Sequence, residues 1–166
     1  MKKETGYMKQ ALELAEIAGK MGEVPVGALV VFENRVIGKG YNRRESTNSP
    51  LSHAEVEAIL EASSNLGSWR LEECELYVTL EPCIMCSGAI LQSRIKKVVF
   101  GPRDPKAGAV RSLYNLLEDN RLNHRVEVVE GVLAQECSLL LSSFFQKIRE
   151  EQKNGSLKPR EKKNNF

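Results

Sequence analysis

The chain has 166 residues, of which 42% are hydrophobic and 28% are charged, and its formal net charge is +2. These values fit one globular domain with a substantial core and give no indication of a second domain. No segment approaches the roughly 20 apolar residues of a membrane-spanning helix, so we expect a cytoplasmic protein.

The apolar pattern predicts alternating helices and strands. Residues 5–21 repeat apolar side chains at spacings of three and four, which predicts a helix that ends at Gly22. Two apolar runs, 27–32 and 35–41, flank the Glu33-Asn34 turn and predict a hairpin. Further strands are predicted over residues 76–80, 97–101 and 125–130. Further helices are predicted to begin near residues 52 and 82 and to cover 111–117 and 134–150.

The connections between the later strands have helical length, which favours parallel pairing. We therefore predict an α/β domain over residues 1–152, with a mixed five-stranded sheet that carries an antiparallel hairpin at one end. Residues 153–166 carry a net charge of +4 and no apolar pattern. This composition predicts a basic, disordered C-terminal tail.

Two short motifs supply ligands for a transition metal. His53 lies in the sequence SHAE at 52–55, and Cys83 and Cys86 lie in EPCIMC at 81–86. One imidazole and two thiolates suit zinc, and a set of three protein ligands leaves the fourth position to water, as in catalytic sites. Glu55, two residues after His53, is the predicted proton carrier.

Each motif is expected at the start of a helix. Pro82 suits the first helical position, which would place Cys83 and Cys86 on one face of the first turn, where the helix dipole favours thiolates. Ser52 is expected to cap the helix of the other motif. The remaining cysteines, Cys74 and Cys137, lie in apolar surroundings and are expected to be reduced core residues. The alternative for Cys74 is a fourth zinc ligand that would close the site.

The charge is unevenly distributed. Residues 94–125 contain eight basic and three acidic side chains, which gives a local net charge of +5. Clustered positive charge is typical of nucleic-acid surfaces, although a solvated basic face without a partner gives the same pattern.

His-x-Glu followed by Pro-Cys-x-x-Cys is the signature of the zinc-dependent nucleobase deaminases. Over about residues 5–150 the chain resembles the bacterial tRNA adenosine deaminases of the cytidine deaminase superfamily. The matching blocks outside the metal motifs are EVPVG at 23–27, YVTLEPC at 77–83, SRI at 93–95, VVFG at 98–101 and NHRVE at 123–127. The resemblance implies a three-layer α/β/α cytidine-deaminase-like fold, one Zn²⁺ per chain and a homodimer.

The resemblance also implies an activity: hydrolytic deamination of adenosine to inosine at the wobble position of a tRNA anticodon stem-loop. In this scheme zinc acidifies its water, Glu55 takes the proton, and the hydroxide attacks C6 of adenine. Glu55 then protonates the ring and the leaving amine. The residues implied in substrate binding are Val26, Asn42, Ala54, Asp104, Lys106, Phe144 and Phe145.

The evidence for these substrate contacts differs from residue to residue. By composition alone Asn42 is a turn residue, and residues 101–108 form a rigid surface loop. Phe144 and Phe145 are adjacent on a helix and cannot point the same way, so one is expected in the core and the other on a nucleotide. Glu81 is expected to have a structural role beside the site.

Two other functions remain open from the sequence. A related enzyme acting on free guanine, cytosine or a nucleotide would share the metal motif, but it would not need the basic stretch or the Asn123-His124-Arg125 block. A zinc-stabilised RNA-binding module without catalysis would need a fourth ligand, for which Cys74 is the nearby choice.

Overall fold

In the computed structural model, which describes residues 2–155, the predicted hairpin is present with the predicted bounds. The strands β1 (Gly27–Phe32) and β2 (Arg35–Tyr41) pair antiparallel, with Phe32 opposite Arg35. Glu33 and Asn34 have positive φ angles of 48° and 61°. A two-residue type I′ turn requires such angles, because its twist matches that of the flanking strands.

Three further strands complete a mixed sheet. They are β3 (Glu75–Val78), β4 (Lys97–Phe100) and β5 (Glu127–Val129), and the strand order is β2-β1-β3-β4-β5. β1 is antiparallel to β3, whereas β3 is parallel to β4 and β4 is parallel to β5. The predicted five-stranded mixed sheet is therefore confirmed, with the hairpin at one end.

Helices cover both faces of the sheet, as alternation of side chains along the strands requires. The helices are α1 (Lys2–Lys20), α2 (Ala54–Leu66), α3 (Ile84–Gln92) and α4 (Ala134–Lys153). Ala28 and Val30 of β1 pack in a core with residues of α2 and α3, while Leu29 and Val31 pack in a second core with residues of α1 and α4. The three-layer α/β/α fold is confirmed.

Not every predicted element is present. Residues 111–117 form turns and irregular structure instead of a helix. The amides of Leu113 and Leu116 donate to the carbonyls of Gly108 and Ala109, five and seven residues earlier, instead of to carbonyls four residues earlier as in an α-helix. The amides of Val110, Arg111 and Ser112 donate to the carboxylate of Glu81. Of the predicted tail, Lys153 ends α4, and residues 156–166 lie outside the described residues. Among residues 2–155, no helix is both long and apolar enough to cross a membrane.

The helix α2 packs unusually close to the edge strand β2. A Cβ atom on Gly38 would lie 2.2 Å from the carbonyl oxygen of Ala58, and one on Gly40 would lie 2.2 Å from that of Ala54. Glycine at both positions therefore lets the helix backbone rest directly on the strand. Side chains of α2 also cover the outer edge of β2, since Asn65 donates to the carbonyl of Ile37 at 2.8 Å.

Candidate active site

His53, Cys83 and Cys86 meet where α2 and α3 begin, beyond the C-terminal end of β3. The Nδ1 atom of His53 lies 3.6 Å from the Cys83 Sγ and 3.5 Å from the Cys86 Sγ. The three ligand atoms all lie within 4.8 Å of one another. The structure thus brings together the three residues that the sequence predicts as metal ligands.

The spacing of this metal triad fits a tetrahedral zinc ion. With Zn–S bonds of about 2.3 Å and Zn–N bonds of about 2.0–2.1 Å, a tetrahedral ion holds nitrogen and sulfur ligands about 3.5–3.6 Å apart. The two nitrogen–sulfur distances of 3.5 and 3.6 Å agree with this value. Both the donor set and its geometry therefore suit zinc.

The helix starts differ slightly from the prediction. His53 itself is the N-cap of α2, and the hydroxyl of Ser52 instead accepts from Thr47 Oγ1 at 2.9 Å. Cys83 is the N-cap of α3, so Pro82 precedes the helix and does not occupy its first position. The predicted roles of Ser52 and Pro82 are wrong by one or two residues, because each ligand takes the capping position itself.

The two thiols differ strongly in acidity. The hydrogen bond from Cys86 and, to a lesser extent, the contact with His53 lower the pKa of Cys83 to about 4. Its bond to Cys83 and burial raise the pKa of Cys86 above its usual range. A metal ion bound by this pair would favour the thiolate form of both sulfurs.

Glu55 lies in the first turn of α2, next to the metal triad, and is only 4% exposed. Burial raises its pKa to about 6, although its own backbone amide and His53 partly oppose this rise. A carboxyl group with a pKa near neutrality is suited to both accepting and releasing a proton. A cation held by the triad would counter part of the increase.

Cys74 and Cys137 are buried free cysteines, as predicted. Cys74 packs among the core residues between the sheet and the helices α2 and α3. It precedes β3, whereas the metal triad lies beyond the other end of that strand, and a four-residue strand spans about 13 Å. Cys74 therefore does not act as a fourth ligand.

A cavity of about 210 Å³ opens over the metal triad. It lies where β2, β3 and β4 end and where α2 and α3 begin, which is the usual place for a ligand site in such sheets. Its lining includes Glu55 and four of the predicted substrate contacts: Val26, Asn42, Ala54 and Asp104. The other lining residues are Val24, Arg44, His53, Leu80, Glu81, Cys83 and Ala107.

Comparison with known proteins decides the family. Residues 2–149 match the family model of the MafB19-like deaminases. The tRNA-specific adenosine deaminase of Bacillus subtilis is 50% identical over 147 residues, covering 89% of this chain and 91% of that protein. The tRNA-specific adenosine deaminase of Haemophilus influenzae is 51% identical over 147 residues, covering 88% and 85%. The chain belongs to the tRNA-specific adenosine deaminase family.

Solved structures agree with this deaminase assignment. One comes from biochemical and structural studies of A-to-I editing by tRNA:A34 deaminases at the wobble position of transfer RNA. It is 40% identical, has a TM-score of 0.80 and covers 82% of this chain and 99% of the other. The guanine deaminase from Nitrosomonas europaea is 25% identical with a TM-score of 0.74, covering 84% and 83%.

One wall of the deaminase cavity, the first wall, consists of residues 42–52. Asn42 is fixed at its start, because its amide donates to Val26 at 3.0 Å and its side chain donates to Val24 at 3.2 Å. Its Oδ1 accepts from the amide of Arg44 at 3.2 Å. Asn42 therefore retains one N–H and one lone pair for a ligand. Arg44 was not predicted to line the cavity. Its position two residues after Asn42 could have indicated that it does.

The opposite wall, the second wall, consists of residues 104–112. The side chain of Asp104 organises its start, because Oδ1 accepts from the amides of Lys106 at 3.0 Å and Ala107 at 3.3 Å. Asp104 and Ala107 line the cavity, but Lys106 does not. Val24, Leu80 and Ala107 were also missed, since small apolar lining residues carry no sequence signal of their own.

Phe144 and Phe145 lie on α4 and do not line the cavity. Phe144 is half-buried, while Phe145 is 44% exposed, and their rings meet edge to face at 5.5 Å. Phe145 is therefore the ring that remains available to a partner.

Most of the predicted basic stretch is paired with carboxylates. Five of its eight cations form ion pairs within residues 2–155: Lys96 with Glu73, Lys97 with Glu4, Arg103 with Glu130, Arg111 with Glu118, and Arg121 with Asp119. Among the described residues, Arg94, Lys106 and Arg125 have no such partner. The net positive surface is therefore smaller than the sequence count of +5 indicates.

Proposed function

We propose that this deaminase hydrolyses adenosine to inosine at the wobble position of a tRNA anticodon loop. The observation that carries the proposal is the buried carboxyl of Glu55 beside the His53–Cys83–Cys86 triad at the base of one cavity. The named relatives, at 50% and 51% identity, support adenosine in tRNA as the substrate.

His53, Cys83 and Cys86 would hold one zinc ion per chain. When bound, zinc supplies an acidified water molecule as the nucleophile. The carboxyl of Glu55 lines the same cavity, and burial raises its pKa to about 6, so it would hold the proton that this water releases. Its carboxyl then donates protons to the adenine ring and to the amino nitrogen that leaves C6, so water and adenosine become inosine and ammonia.

The cavity lining orients the base. The free N–H and lone pair of Asn42 face a nucleoside, the side chain of Val26 packs on its ring, and the backbone amide of Ala54 contacts the base edge. Asp104 approaches from the second wall. These four contacts hold the reacting carbon near Glu55, and such positioning lowers the barrier by removing the entropy of orientation.

The surface around the cavity binds the flanking nucleotides. Lys106 belongs to the second wall but lies outside the cavity lining, and it has no ion-pair partner among residues 2–155. Arg44 lines the cavity from the first wall. Both suit phosphate contacts. Phe145 offers an exposed ring for stacking. An anticodon base is already in a loop, so extruding it costs less than opening a duplex.

Two further features belong to this proposal. The side chain of Ile84, at the start of α3, is 58% exposed, which supports a homodimer that covers it. Ile90 of the same helix lies in the core and does not contribute to such a surface. A tRNA substrate supports a cytoplasmic location for the enzyme.

A free base is the alternative substrate, favoured by the similarity to the guanine deaminase from Nitrosomonas europaea. The test is to incubate the protein with tRNA that carries A34, with the same tRNA carrying G34, and with free adenine and guanine. Inosine at position 34 and an equal amount of ammonia are expected from the A34 tRNA alone. Turnover of a free base at a rate equal to or above that of tRNA would contradict the proposal.

A further inference from the structure

Glu81 connects the metal-ligand segment to the second wall. Its Oε1 accepts from the amide of Asp104 at 3.0 Å and from the hydroxyl of Ser112. Its Oε2 accepts from the amides of Val110, Arg111 and Ser112 at 3.1, 2.8 and 2.9 Å. Donors from both ends of the second wall thus converge on one carboxylate, which is only 3% exposed.

The backbone of the second wall also rests on the segment that carries Glu81. The amide of Ala109 donates to the carbonyl of Pro82 at 2.9 Å, and Gly108 forms an isolated antiparallel bridge with Cys83. A Cβ atom on Gly108 would lie 2.3–2.4 Å from the carboxylate of Glu81, so only glycine leaves room for it. The wall is therefore folded around this side chain.

We propose that Glu81 is a positioning residue that sets the conformation of the second wall and thereby places Asp104 and Ala107 against the substrate. Glu81 does not hold the metal. It acts through its hydrogen bonds with the backbone amides of the second wall. The part of this proposal that concerns substrate rests on the proposed tRNA deamination. The part that concerns the wall does not depend on any substrate.

Glu81→Gln is the sharpest test, because it keeps the shape of the side chain while replacing one acceptor oxygen with a donor. Whichever way the amide turns, an NH₂ group then faces at least one N–H donor of the wall. Glu75→Gln is the matched control. Glu75 also accepts two side-chain hydrogen bonds, from Lys3 and Tyr77, but it lies at the opposite end of β3.

Hydrogen exchange measures the wall directly. In Glu81→Gln, the amides of residues 104 and 110–112 should exchange about 10-fold faster or more as a set. Those that face the new NH₂ group lose their acceptor, and the others keep only an uncharged one. Residues 42–52 should be unchanged, and zinc content should stay at the wild-type value. Unchanged exchange over 104–112 would overturn the proposal.

Kinetics with A34 tRNA then test positioning. We expect kcat/KM to fall by up to about 10²-fold with the rise in KM larger than the loss in kcat, because a displaced wall misplaces the base. Ser112→Ala removes a single donor and should shift both readouts less, in the same direction. Faster exchange with a native KM, or loss of zinc from Glu81→Gln, would overturn the proposal. A wild-type protein inactive on tRNA would instead contradict the proposed function.

Discussion

The two walls of the cavity are built in different ways. Both are irregular, and each is anchored by a buried carboxylate: Glu23, 1% exposed, for the first wall and Glu81, 3% exposed, for the second. Glu23 accepts from the amides of Glu45 and Ser46 at 3.0 and 3.1 Å, beyond the residues that line the cavity. Glu81 instead accepts from the amide of Asp104, which lines it.

This difference separates two ways to hold a ligand-binding residue. Asn42 of the first wall is fixed by the carbonyls of Val24 and Val26, in the chain that leads into β1, so Glu23 supports it only indirectly. The backbone amide of Asp104 instead donates to the side chain of Glu81, so the position of Asp104 depends on that carboxylate. We therefore expect the second wall to respond more strongly to the loss of its carboxylate.

The largest effect should come from the metal triad that both walls flank. Cys86→Ala removes a buried ligand, so zinc content should fall from one per chain to near zero and deamination should be lost. Metal analysis and inosine formation measure this. If the variant kept its full zinc content, the ligand assignment would be wrong. The two walls would then not flank a metal site.

Glu55→Gln should leave both walls and the zinc intact while removing the proton carrier. Activity on A34 tRNA should fall by about 10²–10⁴-fold, which is the usual contribution of general acid–base catalysis. The test compares the single-turnover rates of the variant and the wild-type protein at matched zinc content. Near-native turnover would mean that another group moves the protons.

Glu23→Gln tests the first wall. The lost hydrogen bonds to a charged acceptor should lower the free energy of unfolding by about 1.5–3 kcal/mol, measured by urea denaturation. The KM for tRNA should change less than in Glu81→Gln, because Asn42 retains its own backbone contacts. An equal or larger change in KM would abolish the proposed difference between the walls.

Lys106→Glu should have the smallest effect. Lys106 is part of the second wall but lies outside the cavity lining, and it has no ion-pair partner in the described part of the chain. The variant should therefore raise KM for tRNA and reduce the salt slope by about 1. Lys96→Glu is the control, because Lys96 is already paired with Glu73 at 2.7 Å. Equal effects of the two substitutions would show that the charge acts nonspecifically.

The regular elements of this fold could be predicted because their signals are local. The bounds of β1 and β2 were correct, since apolar runs and a two-residue turn determine them. Spacing and chemistry also predicted that His53, Cys83 and Cys86 come together as a group that could hold a metal ion. The predicted starts of α2 and α3 were one or two residues too early, because His53 and Cys83 are the N-caps.

The second wall could not be predicted because its cause is distant in sequence. Residues 111–117 have the pattern of a short helix, but the amides of Leu113 and Leu116 donate to Gly108 and Ala109 in a non-helical pattern. The amides of Arg111 and Ser112 donate to the carboxylate of Glu81, about 30 positions earlier. The ion pairs of the basic stretch are non-local too: Lys97 pairs with Glu4, 93 positions away. Spacing along the chain cannot reveal either contact.

Because α2 packs so closely on β2, any change in the strand that pushes on the helix also affects the metal triad at the start of the helix. A methyl group on Gly40 would strike the carbonyl of Ala54, immediately beside His53, whereas one on Gly38 would strike that of Ala58, a turn further along. Gly40 thus fixes the distance between the strand and the start of the helix, and Gly38 fixes it one turn later. A larger residue at Gly40 would therefore displace the start of α2, where His53 lies, and change the spacing of the metal triad.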